Sequence, residues 1–170
     1  MSKNPIVVCL FVYVAIQSTE SPAESLAFRL RTVDSQSNQV NSVAVGQAFQ
    51  LQVTAEDIRD APQGIFSAYT DVTFDAGRVN VDTDSLSFGP EFGDLPSGTF
   101  NAFGLLDEVG SLANGYSNIP PLPTPATGEQ LLFTADFVAT APGVALFTTN
   151  AADLLPRHAS SLLGVNGAVS

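Results

Sequence analysis

Gly64-Ile65-Phe66-Ser67-Ala68-Tyr69-Thr70-Asp71-Val72-Thr73-Phe74-Asp75 is the segment on which the fold turns. Its apolar residues recur at every second position, so an extended chain puts Phe66, Ala68, Val72 and Phe74 on one face. Ser67, Tyr69, Asp71 and Thr73 then share the other face. A helix would scatter both sets around its circumference. The same period runs outward in both directions. Leu26, Phe28 and Leu30 alternate with Arg29 and Arg31, and Phe49, Leu51 and Val53 alternate with Gln50, Gln52 and Thr54. Leu131, Phe133, Ala135, Phe137 and Ala139 make a longer alternating run, followed across Ala141-Pro142-Gly143 by another at 144–149. Shorter strands are predicted at 78–82, 86–88 and 103–109. Turn formers separate these runs: Asp60-Ala61-Pro62, Asp75-Ala76-Gly77, Gly93-Asp94-Leu95-Pro96, Asn114-Gly115 and Pro142-Gly143. The Pro-rich stretch 120–125 reads as an extended connector. No window carries a helical stripe, and 151–155 makes one turn at most. Short strands spaced by turns predict an all-β chain folded as a two-sheet antiparallel β-sandwich or jelly roll.

The chain has 170 residues, 45 % of them hydrophobic and 14 % charged, which is room for one domain whose core needs neither disulfide nor metal. Six Lys and Arg stand against 17 Asp and Glu, a net charge of −11. That field repels phosphate backbones and anionic lipid, so nucleic acid and membrane surfaces are poor partners. The apolar content, with 12 Phe, is not that of a disordered chain. Lys3 precedes an apolar run at 6–16 that suits the core of an export signal and falls short of the ~20 residues that cross a bilayer. Small residues at Ser21 and Ala23 set the expected cleavage after Ala23, so 1–23 reads as a signal peptide and 24–170 as the domain. Cleavage would remove Cys9, the only cysteine, together with Lys3 and Glu20, one charge of each sign. The expected product is secreted, extracellular, not inserted in a membrane, and free of disulfides. Without Cys, and with one His, it has few means of binding zinc, haem or an iron–sulfur cluster.

His158 is the only histidine. A Ser–His–Asp triad needs a nucleophile held on the imidazole and an acid behind it. No nucleophile elbow is present, since Gly115-Tyr116-Ser117-Asn118-Ile119 lacks the closing glycine. His158 therefore reads as a surface residue. Asp107 and Glu108 are adjacent, so on a regular strand they face opposite sides and share no substrate. A glycosidase pair would have to come from separate strands, such as Glu56 with Glu129; solvated acids are the simpler reading. Asp75, Asp82 and Asp84 offer oxygens to Ca²⁺, but 82–87 lacks the glycine that an EF-hand loop needs at its sixth position. No Trp and three Tyr leave few platforms for stacking on sugars. No catalytic residue and no metal ligand is predicted.

Several segments resemble bacterial cohesin domains, most closely the divergent cohesin-like domains of environmental bacteria. Val45-Gly46-Gln47-Ala48-Phe49-Gln50-Leu51-Gln52-Val53 is similar to the family's glycine-led second strand, and 64–75 to its third. Gly128-Glu129-Gln130-Leu131-Leu132-Phe133-Thr134-Ala135-Asp136-Phe137 and Gly143-Val144-Ala145-Leu146-Phe147 resemble its later strand and glycine-led hairpin. Glu108-Val109-Gly110 and the turn Ala152-Asp153-Leu154-Leu155-Pro156-Arg157-His158 match two further motifs of the divergent members. The resemblance covers 26 to about 164. It implies a jelly roll of about nine strands that performs no reaction and holds the dockerin of another protein. It also implies kinship with carbohydrate-binding modules, no cofactor of its own, and Ca²⁺ carried by the dockerin. In cellulosomal members an Asn and an Asp on the outward face of the third strand contact the dockerin; the matching positions here are Ser67 and Tyr69. Family members close with a strand beside the first, and the resemblance leaves open whether that strand is missing here, exposing a sheet edge.

The first reading is thus a secreted cohesin-like module, not an enzyme, that binds a dockerin-bearing protein through Ser67, Tyr69, Asp71 and Thr73. The alternatives are a polysaccharide-binding domain of the same fold, linked to polysaccharide catabolism, and a structural surface or matrix component. In the last the acidic coat serves solubility alone.

Overall fold

A computed structural model describes residues 25–101, 103–115 and 127–164, together with the backbone of 11–14. Eleven strands and no helix occur among the described residues. In chain order they are β1 (Phe11–Val14), β2 (Leu26–Val33), β3 (Ala48–Asp57), β4 (Ile65–Phe74), β5 (Val79–Val81) and β6 (Ser87–Phe88). They continue with β7 (Phe92–Asn101), β8 (Leu105–Ala113), β9 (Gln130–Ala139), β10 (Val144–Ala151) and β11 (Ser161–Leu162). One sheet has six strands, in the order β1-β10-β4-β8-β7, with β11 also paired to β4. The other has five, in the order β2-β3-β9-β5, with β6 paired to β9. The two-sheet all-β architecture is the one the alternation predicts.

The core lies between the sheets and is mainly aromatic. Phe49 of β3 and Phe137 of β9 face Phe74 of β4 and Phe147 of β10, with ring centroids 5.1 to 6.3 Å apart in stacked and edge-on pairs. Leu51, Val53, Ala68, Val72, Leu106, Val109, Phe133 and Ala145 fill the space around them. On the outer face of the five-stranded sheet, Arg29 pairs with Glu56 and Glu129, Arg31 with Glu129, and Gln50 donates to Asp136. Glu56 and Glu129 therefore do meet, but around Arg29, with Arg31 as a second cation on Glu129.

The structure corrects several expectations. One pairing is parallel, β1 with β10; no hairpin joins the two, so nothing forces them to run in opposite directions. Gly93-Asp94-Leu95-Pro96, read as a turn, lies inside β7, an edge strand whose register shifts along its length. An edge tolerates proline because one row of amides needs no partner, and Leu95 takes a positive φ of 52° there. In β9 the register shifts where Thr54 meets Leu131 and Val53 meets Phe133, so Leu132 is fully buried and Leu131 only half-buried. Phe66 is likewise half-buried, and β8 runs four residues beyond the predicted 103–109, to Ala113. The connector 120–125 and the cleavage position after Ala23 lie outside the described residues, as does the expected leader 1–23 except for β1. Among the described residues no strand pairs with the outer edge of β2, onto which the following turn folds through a bridge between Val33 and Gln39.

Candidate functional site

The outer face of the six-stranded sheet is organised by an irregularity between β4 and β8. Thr70 stands opposite Val109 and Val72 opposite Leu106, so Asp71 alone faces both Asp107 and Glu108. This is a β-bulge, an extra residue that breaks the alternation and re-aims a side chain. Glu108 takes the left-handed conformation there, φ 56°, which a non-glycine residue holds only where its surroundings dictate it. Its N–H donates to Asp71 Oδ1 at 2.8 Å. The bulge overturns the expectation that Asp107 and Glu108 point apart: carboxylate oxygens of Asp71, Asp107 and Glu108 lie within 4.8 Å of one another.

Glu108 is buried, and what buries it is the chain between β10 and β11. Strand β10 leaves β4 after Ala151, and β11 rejoins it at Ser161 opposite Ser67. The loop 152–160 between them folds over the sheet. Glu108 Oε1 accepts the amides of Asp153 and Leu154, both at 2.6 Å. Oε2 lies 2.6 Å from His158 Nδ1. An ionised carboxylate only accepts, so the proton sits on Nδ1. Burial pushes the Glu108 carboxyl up, but the Leu154 and Asp153 amides and then His158 outweigh it and hold it below the usual glutamate range. Asp71 goes the other way: burial raises it, the negative charges of Glu108, Asp107 and Asp153 add to the rise, and the Glu108 amide opposes them.

The rest of the loop is fastened through β4. The His158 ring stacks on Tyr69, centroids 4.8 Å apart. Ser160 Oγ accepts the Tyr69 amide at 2.8 Å and donates to the Tyr69 carbonyl at 2.9 Å. The Ser67 hydroxyl donates to the Ala159 carbonyl at 2.7 Å and lies 2.6 Å from Ser161 Oγ. Tyr69 lies across Gly110, its partner on β8; a Cβ on Gly110 would stand 2.6 Å from the Tyr69 ring.

The four residues predicted to bind a partner do share this face. Ser67 and Tyr69 are buried beneath the loop, while Asp71 and Thr73 are half-buried. Asp71 is engaged by the Glu108 amide, and Thr73 pairs with Thr148 across the strands. Three large apolar side chains stand open near them, Leu95 at 68 % exposure, Leu154 at 49 % and Leu155 at 66 %, among the exposed Asp153, Arg157 and Ser160 of the loop. The Tyr69 hydroxyl lies 3.4 Å from the Leu95 carbonyl, and the His158 amide donates to the Leu154 carbonyl at 3.1 Å, so the backbone at Leu95 and at Leu154 is tied to the two residues of the Tyr69–His158 stack. His158, expected on the surface, has a side chain only 16 % exposed. The acid–imidazole pair fastens the loop: His158 Nδ1 is bonded to Glu108, whose other oxygen holds the Asp153 and Leu154 amides. Asp82 and Asp75 build turns instead of gathering: Asp82 accepts the Asp84 amide, and Asp75 accepts the Gly77 amide and pairs with Arg78.

Residue-by-residue reading of the sequence missed Glu108 and Ser160, as well as Leu95, Leu154 and Leu155. The available signal was the pair of motifs at 108–110 and 152–158, which the structure turns into the two halves of one site.

No protein-family model matches the chain, and no curated protein does. Solved structures do. The sixth cohesin of scaffoldin B from Acetivibrio cellulolyticus, solved in complex with a mutant Cel5 dockerin, superposes with a TM-score of 0.54 at 14 % identity. The match covers 82 % of this chain and 86 % of that one. The third cohesin of ScaC from the same organism, in complex with the ScaB dockerin, gives a TM-score of 0.47 at 16 % identity over 69 % of this chain and 76 % of that one. With its sandwich matched across most of both chains, this protein has the cohesin fold, built from a sequence far removed from that of the scaffoldin B domain.

Proposed function

We propose that this chain is a secreted, non-catalytic docking module that holds a dockerin-bearing protein against the outer face of its six-stranded sheet. The observation that carries this reading is the division of labour on that face. Its polar groups, Glu108 and His158 above all, are occupied in holding a loop, while Leu95, Leu154 and Leu155 stand exposed around them. A surface so arranged supports adhesion and offers no free base or nucleophile for a reaction. The cohesin fold adds to it, because the scaffoldin B domain with that fold was solved holding a dockerin.

The test is titration calorimetry of the protein against a panel of calcium-loaded dockerin modules, repeated in EDTA. The expected result is a stoichiometric complex with at least one dockerin that is lost on chelation, since the ion belongs to the dockerin. Silence across the panel, with retardation on a polysaccharide gel in its place, would overturn the reading in favour of a carbohydrate-binding domain.

A further inference from the structure

We propose that the loop 152–160 is a preformed docking element, in which Leu154 and Leu155, with Leu95 beside them, seat a protein surface of apolar side chains ringed by Lys or Arg. This rests on the docking reading above and names the chemistry of its partner. The first observation is cost. The bulge holds Glu108 at a positive φ, where its amide donates to Asp71, and buries its carboxylate, which the amides of Asp153 and Leu154 and His158 Nδ1 compensate. Ser160 and Ser67 tie down the far end of the same loop. A loop fastened at both ends has already lost the freedom that binding would otherwise remove, so its apolar groups bind at lower entropic cost.

The second observation is what the fastened loop presents. Two consecutive leucines, half and two-thirds exposed, are an unusual use of a tightly ordered segment, and Leu95, exposed on the edge strand β7, has its carbonyl 3.4 Å from the hydroxyl of Tyr69, on which the same loop stacks His158. The third is charge. Glu108 is buried and engaged by the loop, but Asp71 and Asp107 beside it are half-buried and Asp153 is exposed on the loop, against Arg157 as the loop's one cation. The whole chain carries −11. An apolar centre in an acidic surround selects a partner with the opposite rim. Glu108 touches no partner in this scheme. It is a positioning residue, acting through the backbone at Asp153 and Leu154.

The probe is a labelled amphipathic helical peptide with a leucine face rimmed by lysine, and a twin in which glutamate replaces lysine. Anisotropy with the full chain is expected to show binding of the lysine-rimmed peptide and none of its twin. Leu154→Ser with Leu155→Ser keeps every charge and is expected to weaken binding about tenfold or more, so general attraction to an acidic protein is separated from seating on the leucines. Glu108→Ala is expected to weaken it comparably, with sheet amide resonances in place. Glu108→Gln, which retains an acceptor for both amides, is expected to restore it. Equal binding by the leucine double variant, or by the glutamate-rimmed twin, would overturn the proposal. So would a dimer of the chain alone that the leucine variant abolishes, because the occupant would then be a second copy. A dockerin complex indifferent to the leucine substitutions leaves the docking function standing and removes this inference; peptide binding without any dockerin complex does the reverse.

Discussion

Glu108 is a charged side chain taken out of water, and it stays ionised because two backbone amides and an imidazole replace its hydration. Removing it leaves those donors without an acceptor, so Glu108→Ala is expected to cost about 2–4 kcal/mol of unfolding free energy in a urea titration, and Glu108→Gln clearly less. Asp57 is the other acid of this kind. It is buried and takes Arg59 Nε and Nη2 at 2.8 and 2.7 Å with the amides of Gln63 and Gly64 at 2.9 and 3.0 Å. Burial pushes its carboxyl up, yet Arg59 and those amides prevail and bring it from 3.8 to about 2. A depressed carboxyl stabilises the fold at pH above its unfolded value and loses that contribution as pH falls through its folded value. About 2–3 kcal/mol of stability is therefore expected to disappear between pH ~4 and ~2, and an Asp57→Asn variant, less stable at neutral pH, should show a flatter acid limb in the same titration. Neither role was legible from the residue alone. Ser67 and Tyr69 show the same limit from the other side: alternation told which way they point, but their cover comes from residues 152–160, some ninety positions away.

At the scale of the element, the strands that alternate cleanly were readable and those that do not were not. Strand β3 alternates over its first half because one face packs on the core, and β4 alternates in its sequence although the loop covers its other face as well, so that 67–70 are all buried. Strand β7 contains Gly93, Asp94 and Pro96, turn formers in any local reading, and survives as a strand because it lies on an edge where register shifts cost little. Strand β8 hides its bulge in two adjacent acids that look unremarkable in sequence. Its Gly110 has a geometric cause: an added Cβ would meet the Ala68 carbonyl oxygen at 2.0 Å and Tyr69 Cα at 2.5 Å. Backbone cannot yield as a flexible side chain can, so Gly110→Ala is expected to lower stability by about 2 kcal/mol or more in thermal unfolding, although alanine favours neither face of a strand. An unchanged midpoint would mean that β4 and β8 do not approach each other this closely.

For the molecule as a whole, two sheets close on four phenylalanines, which form the centre of the core. Phe137 touches the other three rings, and Phe137→Ala is expected to cost about 3–5 kcal/mol, enough to unfold a marginal domain at ordinary temperature. That core was readable because its residues sit on the most regular strands; the parallel pairing of β1 was not, since direction is invisible to periodicity. The consequence for function is an asymmetry between the two outer faces. One is a level field of paired charges around Arg29 and Arg31, the other a stapled loop with leucines uncovered. Amide hydrogen exchange of the protein, alone and saturated with a calcium-loaded dockerin that it binds, separates them. New protection is expected at 94–95 and 152–158, with unchanged exchange on the outer face of β2, β3 and β9; protection confined to that charged face would contradict docking on the stapled loop.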